Sequence, residues 1–534
     1  MNGAQTLCES LRHYGVSFLV GIPGTDNTDV YDVCETYGIR PIVVRNEMFA
    51  PMFADGYARV SRKTGVVFSI PGPGALALMS GLLEAYGSST PMLAIVTDIP
   101  QEFLSKETGH LHEVSELASC FRSVTSRRSS VTCANVIPRA MHMVMEHAVG
   151  ERKRPSLLHI PTDVYRDMRT EDDFHPTPAR PTPKADVSRA VEMIAMAKRP
   201  IIFAGNGVWW ADAMEPLRTL AERMLAPVFT SVKGKGIISD HHWCGYGQLA
   251  GEPEFRECIA ESDLAIIVGM RWSQRSTDRW TLKLPENVIR IDCDVETRKH
   301  PRGEYICADA HTALTAIVQA LPLSKVESGR WRARFMLCKS KAIERIRTES
   351  PFEMGLISAL RAAIPENAIV VNDSTIMTFW TRRYFEVTNP GTFLWPMGSG
   401  TIGWALPAAL GAKLAVQRNG TNRPVVAIVG DGGFQFSMQE LGTMVQEKLP
   451  VVIVLFDDSA YGMIRYFQHT RYGKETHATN LHNPYFGDIA RAYGMLYHHA
   501  TSPEAVECAI RDSLSNGGPA LVHCPMQLNP PRRL

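Results

Sequence analysis

The chain lacks the marks of several protein classes, and each gap narrows what it can be. No run of apolar residues approaches membrane-spanning length, and Met1 leads within a few positions into an amphipathic stretch, Ala4 to Tyr14, with no apolar signal region. The expected location is the cytoplasm, away from membranes. Neither charge is in excess: 56 Lys and Arg against 55 Asp and Glu give a formal net charge of +1 without a long basic run. Nucleic acid and anionic membranes are therefore poor partners, and a small-molecule substrate is the better expectation. No Cys-x-x-Cys pair occurs; the 11 cysteines are odd in number and scattered from Cys8 to Cys524, which points to reduced, buried thiols and away from a disulfide framework or zinc cluster. No short-period repeat is visible. The Gly-x-Gly in Ala204-Gly205-Asn206-Gly207-Val208 lacks the third glycine of a dinucleotide fingerprint and reads as a strand-to-helix turn, leaving a nicotinamide dehydrogenase with little support.

What is present is length and a recurrent apolar pattern. The 534 residues suggest about three or four domains, with material for large cores. Arg166 to Ala185 mixes charge with Pro176, Pro178, Pro181 and Pro183 and predicts a solvated linker that closes a first domain over residues 1–165. A second alternating block, residues 186–323, contains the apolar runs at Ile201, Leu264 and Val288, each ending in Gly or Asp. The charged helical stretch Ser324 to Glu349 reads as a second linker, and residues 350–534 as a third domain that starts near Pro351 and includes the run Ala368 to Val371.

The most informative feature lies in that last block. Gly430-Asp431-Gly432 ends the apolar run Pro424 to Val429, and Asp457-Asp458 ends the run Pro450 to Phe456. Between them Ser437 and Glu440 have capping-box spacing, and Met438, Leu441, Met444 and Val445 recur at helical intervals, so the unit reads strand, helix, strand. The strands must be parallel, and ligands of such sheets gather beyond their carboxyl ends, where Asp431 and Asp458 lie. Hard oxygen ligands favour Mg²⁺ or Ca²⁺ over zinc, and Gly432 and Gly433 let backbone N–H groups approach a phosphate at the helix start.

This arrangement resembles the signature of thiamine diphosphate enzymes, in which Gly-Asp-Gly is followed further along by Asn-Asn or Asp-Asn. The resemblance implies an α/β fold of three doubly wound domains with mainly parallel sheets: pyrimidine-binding, central and diphosphate-binding. It assigns the metal to Asp431 and Asp458 with Ala460, and departs from the family at Asp458, whose extra negative charge beside a diphosphate would weaken binding unless a metal or a nearby cation neutralises it. Near the N-terminus, Arg45-Asn46-Glu47 before Ala54-Asp55-Gly56-Tyr57-Ala58-Arg59 resembles the segment of the cofactor-activating glutamate, which would be Glu47, protonating N1′ of the aminopyrimidine. Gly21-Ile22-Pro23-Gly24-Thr25 and Pro71-Gly72-Pro73-Gly74 resemble the first domain's two glycine-rich turns. Gly398-Ser399-Gly400-Thr401-Ile402-Gly403 resembles the segment that bends the cofactor, with Ile402 as the wedge and the backbone around Gly400 facing the pyrimidine. Cofactor contacts are accordingly expected from Gly24, Gly400, Ile402, Ser374, Thr375, Gly432, Gly433 and Met463.

The overall plan is similar to acetohydroxyacid synthases, with features of benzoylformate decarboxylase. Where the synthases have Phe-Gln-Glu by the thiazolium, this chain has His110-Leu111-His112-Glu113; the glutamine is missing, and His112 or Glu113 would exchange protons with an intermediate. Asn372-Asp373-Ser374-Thr375 looks more like benzoylformate decarboxylase, and Thr25 falls where that enzyme has a serine, although its catalytic histidines are absent and Phe68 stands near the place of one. Gly462-Met463-Ile464 leads to Phe467 where the synthases have a tryptophan. Arg271 and Arg275 resemble the synthases' arginines near a non-redox flavin, but Gln248-Leu249-Ala250 replaces the methionine-bearing loop, so FAD is left open. The implied activity is decarboxylation of a 2-oxoacid such as pyruvate, with transfer to an acceptor carbonyl compound or release of an aldehyde. A cofactor-binding pseudoenzyme is the remaining alternative. The resemblance further implies a homodimer as the minimal unit and a homotetramer as the expected assembly.

Overall fold

A computed structural model of the chain describes residues 1–170, 185–294, 303–322, 329–473 and 476–532. The four prolines of the expected first linker lie outside the described residues. Three sheets, every pairing in them parallel, organise the rest. The first contains β1 (Phe18–Gly21), β2 (Arg40–Val43), β3 (Gly65–Ser69), β4 (Met92–Asp98), β5 (Arg127–Ser130) and β6 (Pro155–Pro161). The second contains β7 (Pro200–Ala204), β8 (Val228–Thr230), β9 (Leu264–Val268), β10 (Val288–Asp292) and β11 (Glu304–Cys307). The third contains β12 (Ile369–Asn372), β13 (Phe393–Leu394), β14 (Val425–Gly430), β15 (Val452–Asp457), β16 (Leu496–His499) and β17 (Ala520–Pro525). Buried runs such as Val425 to Val429 and Val451 to Phe456 are apolar at every position because helices cover both faces.

The first sheet has the order β2-β1-β3-β4-β6-β5 and the third β13-β12-β14-β15-β17-β16, the same order in each domain's own strands. In both, the chain reverses its direction of travel between the first and third strand of the domain. Such a switch point opens a crevice at the carboxyl ends. Gly24 and Gly72 flank the crevice of the first sheet, and Ser374 and Asp431 that of the third.

The first and third domains are joined by two buried helices, Phe49–Ser61 and Ala405–Arg418. Both are apolar on nearly all sides because each lies between a sheet and the other helix. They cross at backbone contact: a Cβ on Gly56 would lie 2.0 Å from the Ala408 carbonyl oxygen, and one on Gly411 would lie 1.8 Å from that of Phe53. The polar residues on this surface are satisfied as a cluster. Arg59 donates to both oxygens of Asp55 at 2.8 and 2.6 Å, to Glu84 at 3.0 Å and to the Trp395 carbonyl at 2.8 Å, while its guanidinium stacks on Trp404.

Several sequence expectations change here. Ser437 and Glu440 do not form a capping box: the helix starts at Asp431, directly after β14, and ends at Ser437, while Glu440 accepts from the Arg45 N–H and the Thr443 hydroxyl. The charged stretch before residue 350 is not a solvated linker over the helix Gly329–Glu349, which buries Trp331, Phe335, Cys338, Ala342 and Ile346; residues 323–328 lie outside the described residues. All 11 cysteines are free, but only Cys8, Cys34, Cys244, Cys258, Cys338 and Cys524 are buried. Among the described residues no helix is long and apolar enough to cross a membrane.

Gly411→Ala places a methyl group against the Phe53 carbonyl and should destabilise the protein by about 1–3 kcal/mol, read as a lower midpoint in thermal unfolding. An unchanged midpoint would show that the two helices separate without cost.

Candidate active site

Chain geometry concentrates carboxylates at the third sheet's crevice. β14 ends at Gly430, and Asp431 sits in the first helical turn, where the helix dipole favours a negative charge. The N–H groups of that turn have no partner within the helix. Side chains are excluded there: a Cβ on Gly432 would lie 2.7 Å from the Tyr461 ring, and one on Gly433 2.9 Å from an Asp373 carboxylate oxygen. Asp431, Asp458, Ala460, Ser374, Thr375, Gly400, Ile402, Gly432, Gly433 and Met463 all line one cavity of about 240 Å³.

Within it each carboxylate is held differently. Asp431 Oδ2 accepts from the Ala460 N–H at 3.1 Å and from Asn483 Nδ2 at 2.8 Å. The same Asn483 amide donates to Asp457 Oδ1 at 2.7 Å, and its own oxygen accepts from Gln435. Asp457 Oδ2 pairs with His523 Nε2 at 3.0 Å, and Asp458 Oδ2 with the Arg465 guanidinium at 2.7 Å. Burial pushes the Asp431 carboxyl up to about 6, Asn483 opposing and the charges of Asp458 and Asp457 adding to the rise. The Asp458 carboxyl is also raised by burial, against the pull of Arg465. Asp457 goes the other way: its burial is outweighed by the bonds from His523 and the Ser459 N–H. Crowded anions of this kind are a site that gains from a cation.

The loop that carries Gly400 and Ile402 is fixed by two further buried carboxylates. Glu84, of the first domain, accepts from the N–H groups of Gly398, Ser399 and Gly400 at 2.9, 2.6 and 3.4 Å and from the Ser399 hydroxyl at 2.9 Å. Asp373 accepts from Ser374, Gly403 and Ala405 N–H at 2.7, 3.2 and 3.4 Å, and burial raises its carboxyl to about 6. Gly400 and Gly403 have φ of +74° and +75°, a region that L side chains strain to adopt.

At the first sheet, Glu47 lies in the turn between β2 and the helix Phe49–Ser61, half-buried, with an oxygen 3.0 Å from where a Cβ on Gly74 would be. Gly24 is folded onto Asn27, and Thr25 donates to Asp26. His112 Nδ1 pairs with Asp26 Oδ2 at 3.1 Å, and the His112 carbonyl packs over Gly72. Glu113 does not reach into this group. Its carboxylate accepts from the N–H groups of Thr108, Gly109 and His110, which hold it below the usual carboxylate range and so build the turn that carries His112. Phe68 lies in β3, fully buried against Tyr31 and Tyr165. None of Glu47, Thr25, His112 or Glu113 lines the cavity of the third domain.

Sequence reasoning missed Asn483, Arg465, Glu84 and Asp26. Arg465 follows Asp458 by seven residues, a spacing that a helix start could have flagged; Asn483 and Glu84 reach their partners over distances that no local pattern records. A second cavity, of about 810 Å³, opens between the domains and is lined by Gly207, Lys233, Arg271, Asp292, Asp309 and Met397 among others. Gly205 and Gly207 are needed there for close packing on Gly269, since their Cβ atoms would lie 2.3 and 2.6 Å from its backbone. Arg271 donates to the Gly87 carbonyl, whereas Arg275 stacks over Trp395.

Comparison with known proteins converges on one family. Models of the thiamine pyrophosphate enzymes match over residues 1–120 (N-terminal TPP binding domain), 187–317 (central domain) and 355–524 (C-terminal TPP binding domain). A probable acetolactate synthase large subunit from Methanococcus aeolicus is 30% identical, covering 98% of this chain and 91% of its own. A probable 2-ketoarginine decarboxylase from Pseudomonas aeruginosa is 31% identical over 98% of this chain and 93% of its own, and the acetolactate synthase isozyme 2 large subunit of Escherichia coli is 31% identical over 98% and 95%. In fold, the chain superposes on the Rhodococcus jostii thiamine diphosphate-dependent 4-hydroxybenzoylformate decarboxylase with a TM-score of 0.83 at 20% identity, over 99% of this chain and 100% of that one. The cradle of glycines and carboxylates at the third sheet's crevice thus belongs to a thiamine pyrophosphate enzyme, of the acetolactate synthase and 2-oxoacid decarboxylase type.

Proposed function

We propose that the chain is a thiamine diphosphate- and Mg²⁺-dependent decarboxylase and carboligase that acts on a 2-oxoacid such as pyruvate. The observation that carries this is the cavity at the third sheet's switch point, where two carboxylates and two glycines meet at one helix start. The residues fit the group. Asp431, Asp458 and the Ala460 carbonyl are the hard oxygen donors that Mg²⁺ takes, and the N–H groups of Gly432 and Gly433 suit a diphosphate. Ser374, Thr375, Gly400 and Met463 would wall the cofactor, with Ile402 beneath its rings. Bound thiamine diphosphate supplies the electron sink that cleavage between the carboxylate and carbonyl carbons of a 2-oxoacid requires.

The chain's own residues do the rest. Glu47 holds the proton at the pyrimidine's N1′. His112, oriented by Asp26, moves a proton at the substrate oxygen or carbon, with Gly24 and Thr25 on the same side of the crevice. Because Glu47 does not line the cavity that holds Asp431, we assign it to the cavity of a second copy, which makes a homodimer the minimal unit and a homotetramer the expected one. The larger cavity has the volume for a nucleotide cofactor such as FAD, and Arg271 and Lys233 would face its phosphates.

A second reading, release of an aldehyde without carboligation, is favoured by the stretch His110-Leu111-His112-Glu113 and by Phe467, where the resemblance would put the synthases' glutamine and tryptophan, and by the similarity to a 2-ketoarginine decarboxylase.

Asp431→Ala should abolish Mg²⁺-assisted cofactor binding in calorimetric titration, while Asp458→Asn keeps an oxygen ligand and much of the affinity; unchanged affinity in Asp431→Ala would remove the metal site. Glu47→Gln should fold and bind cofactor yet exchange the cofactor's C2 proton at least about 10²-fold more slowly, the low end of what a positioned acid contributes. Exchange at the wild-type rate would show that Glu47 is not the activator.

A further inference from the structure

The Asp457-Asp458 pair places one more negative charge beside the diphosphate site than an Asp-Asn pair would, and with Asp431 it makes three carboxylates at the ends of β14 and β15. Asp457 and Asp431 share the Asn483 amide, and Asp457 also has His523. Asp458 alone is met by a guanidinium. Arg465 belongs to the first turn of the helix Gly462–Tyr472, its N–H bonded to the Tyr461 carbonyl at 3.0 Å, and its Nη2 returns over that turn to Asp458 Oδ2 at 2.7 Å. The site is shaped for this contact: a Cβ on Gly462 would lie 2.3 Å from the same Oδ2, so only glycine lets the carboxylate stand over the helix start. Both side chains are largely withdrawn from water, 13% and 29% exposed, so solvent screens the pair incompletely. A carboxylate has about four lone-pair directions, so one guanidinium contact leaves it able to bind a metal as well.

We propose that Arg465 is a positioning residue for the metal–diphosphate site: it neutralises Asp458, aims its carboxylate, and makes an Asp-Asp pair compatible with a bound diphosphate. The inference rests on the function proposed above and goes beyond it, because it concerns a charge that the usual form of the motif does not carry. Removing Arg465 leaves Asp458 uncompensated against the diphosphate, a repulsion that at a few ångströms and intermediate dielectric corresponds to about tenfold or more in affinity. Replacing Asp458 by Asn removes the need for Arg465. The two residues therefore act as one unit, and their effects are non-additive in a way that a separate structural role would not produce.

The test is a double-mutant cycle read by calorimetric titration of the whole chain with Mg²⁺ and thiamine diphosphate. Arg465→Met should weaken binding about tenfold or more, the same change in an Asp458→Asn background should cost less than about threefold, and Arg465→Lys, which keeps the charge, should stay within about threefold of the wild type. Thermal unfolding of each variant without ligands shows whether it folds. Wild-type affinity in Arg465→Met would overturn the inference, as would an equal loss in both backgrounds, which would mean that Arg465 touches the ligand or only supports the fold. A wild type that takes up neither ligand would overturn the functional reading itself, and this inference with it.

Discussion

A single buried charge cluster sets the relation between the first and third domains. Arg59, Asp55 and Glu84 are almost wholly withdrawn from water, and an isolated charge there would cost several kcal/mol. The cost is offset because every partner is present: Asp55 takes two bonds from Arg59 and one from Trp404, and Glu84 takes Arg59, Ser88 and the loop at Gly398–Gly400. Burial raises the Asp55 carboxyl, whereas Arg59, Ser88 and the loop N–H groups overcome burial at Glu84 and keep its carboxyl low. Because a half-satisfied cluster would be worse than none, the helix pair, the loop and the cluster have one joint arrangement.

That arrangement reaches the candidate site directly. Glu84 grips the loop before Ile402, and Asp373 grips it after, so the segment proposed to lie under the cofactor is tied at both ends by carboxylates from different domains. Beyond it, the three aspartates at β14 and β15 are kept in place by Asn483, His523 and Arg465 rather than by one another. The protein thus maintains a crowd of anions at the switch point the sheet order creates, where the proposed divalent cation would bind.

Much of this could be read from the sequence because it depends on local pattern. The continuous apolar runs at Val425 and Val452 are buried adjacent parallel strands, and Asp431 and Asp458 stand at their ends. Local pattern also misled. The spacing of Ser437 and Glu440 imitates a capping box, yet the helix begins at Asp431, and Glu440 is taken by the backbone of Arg45 from another domain. The helix Gly329–Glu349 looked solvated because charged residues are spread along its whole length, although Trp331, Phe335, Cys338, Ala342 and Ile346 recur at helical spacing and are the buried ones. Asn483, Glu84 and the pairing of His112 with Asp26 depend on contacts between distant segments, which composition and spacing do not encode.

Turnover of a 2-oxoacid on thiamine diphosphate is the function proposed for this site. It is tested most directly by incubating the protein, loaded with the cofactor and Mg²⁺, with a panel of 2-oxoacids, with and without acceptor aldehydes or ketones, while CO₂ and products are followed by NMR. CO₂ release from at least one 2-oxoacid, dependent on both the cofactor and the metal, is expected, with a carboligation product when an acceptor is present. Cofactor that binds tightly while no 2-oxoacid on the panel loses CO₂ would contradict it and leave a binding protein in the fold of an enzyme.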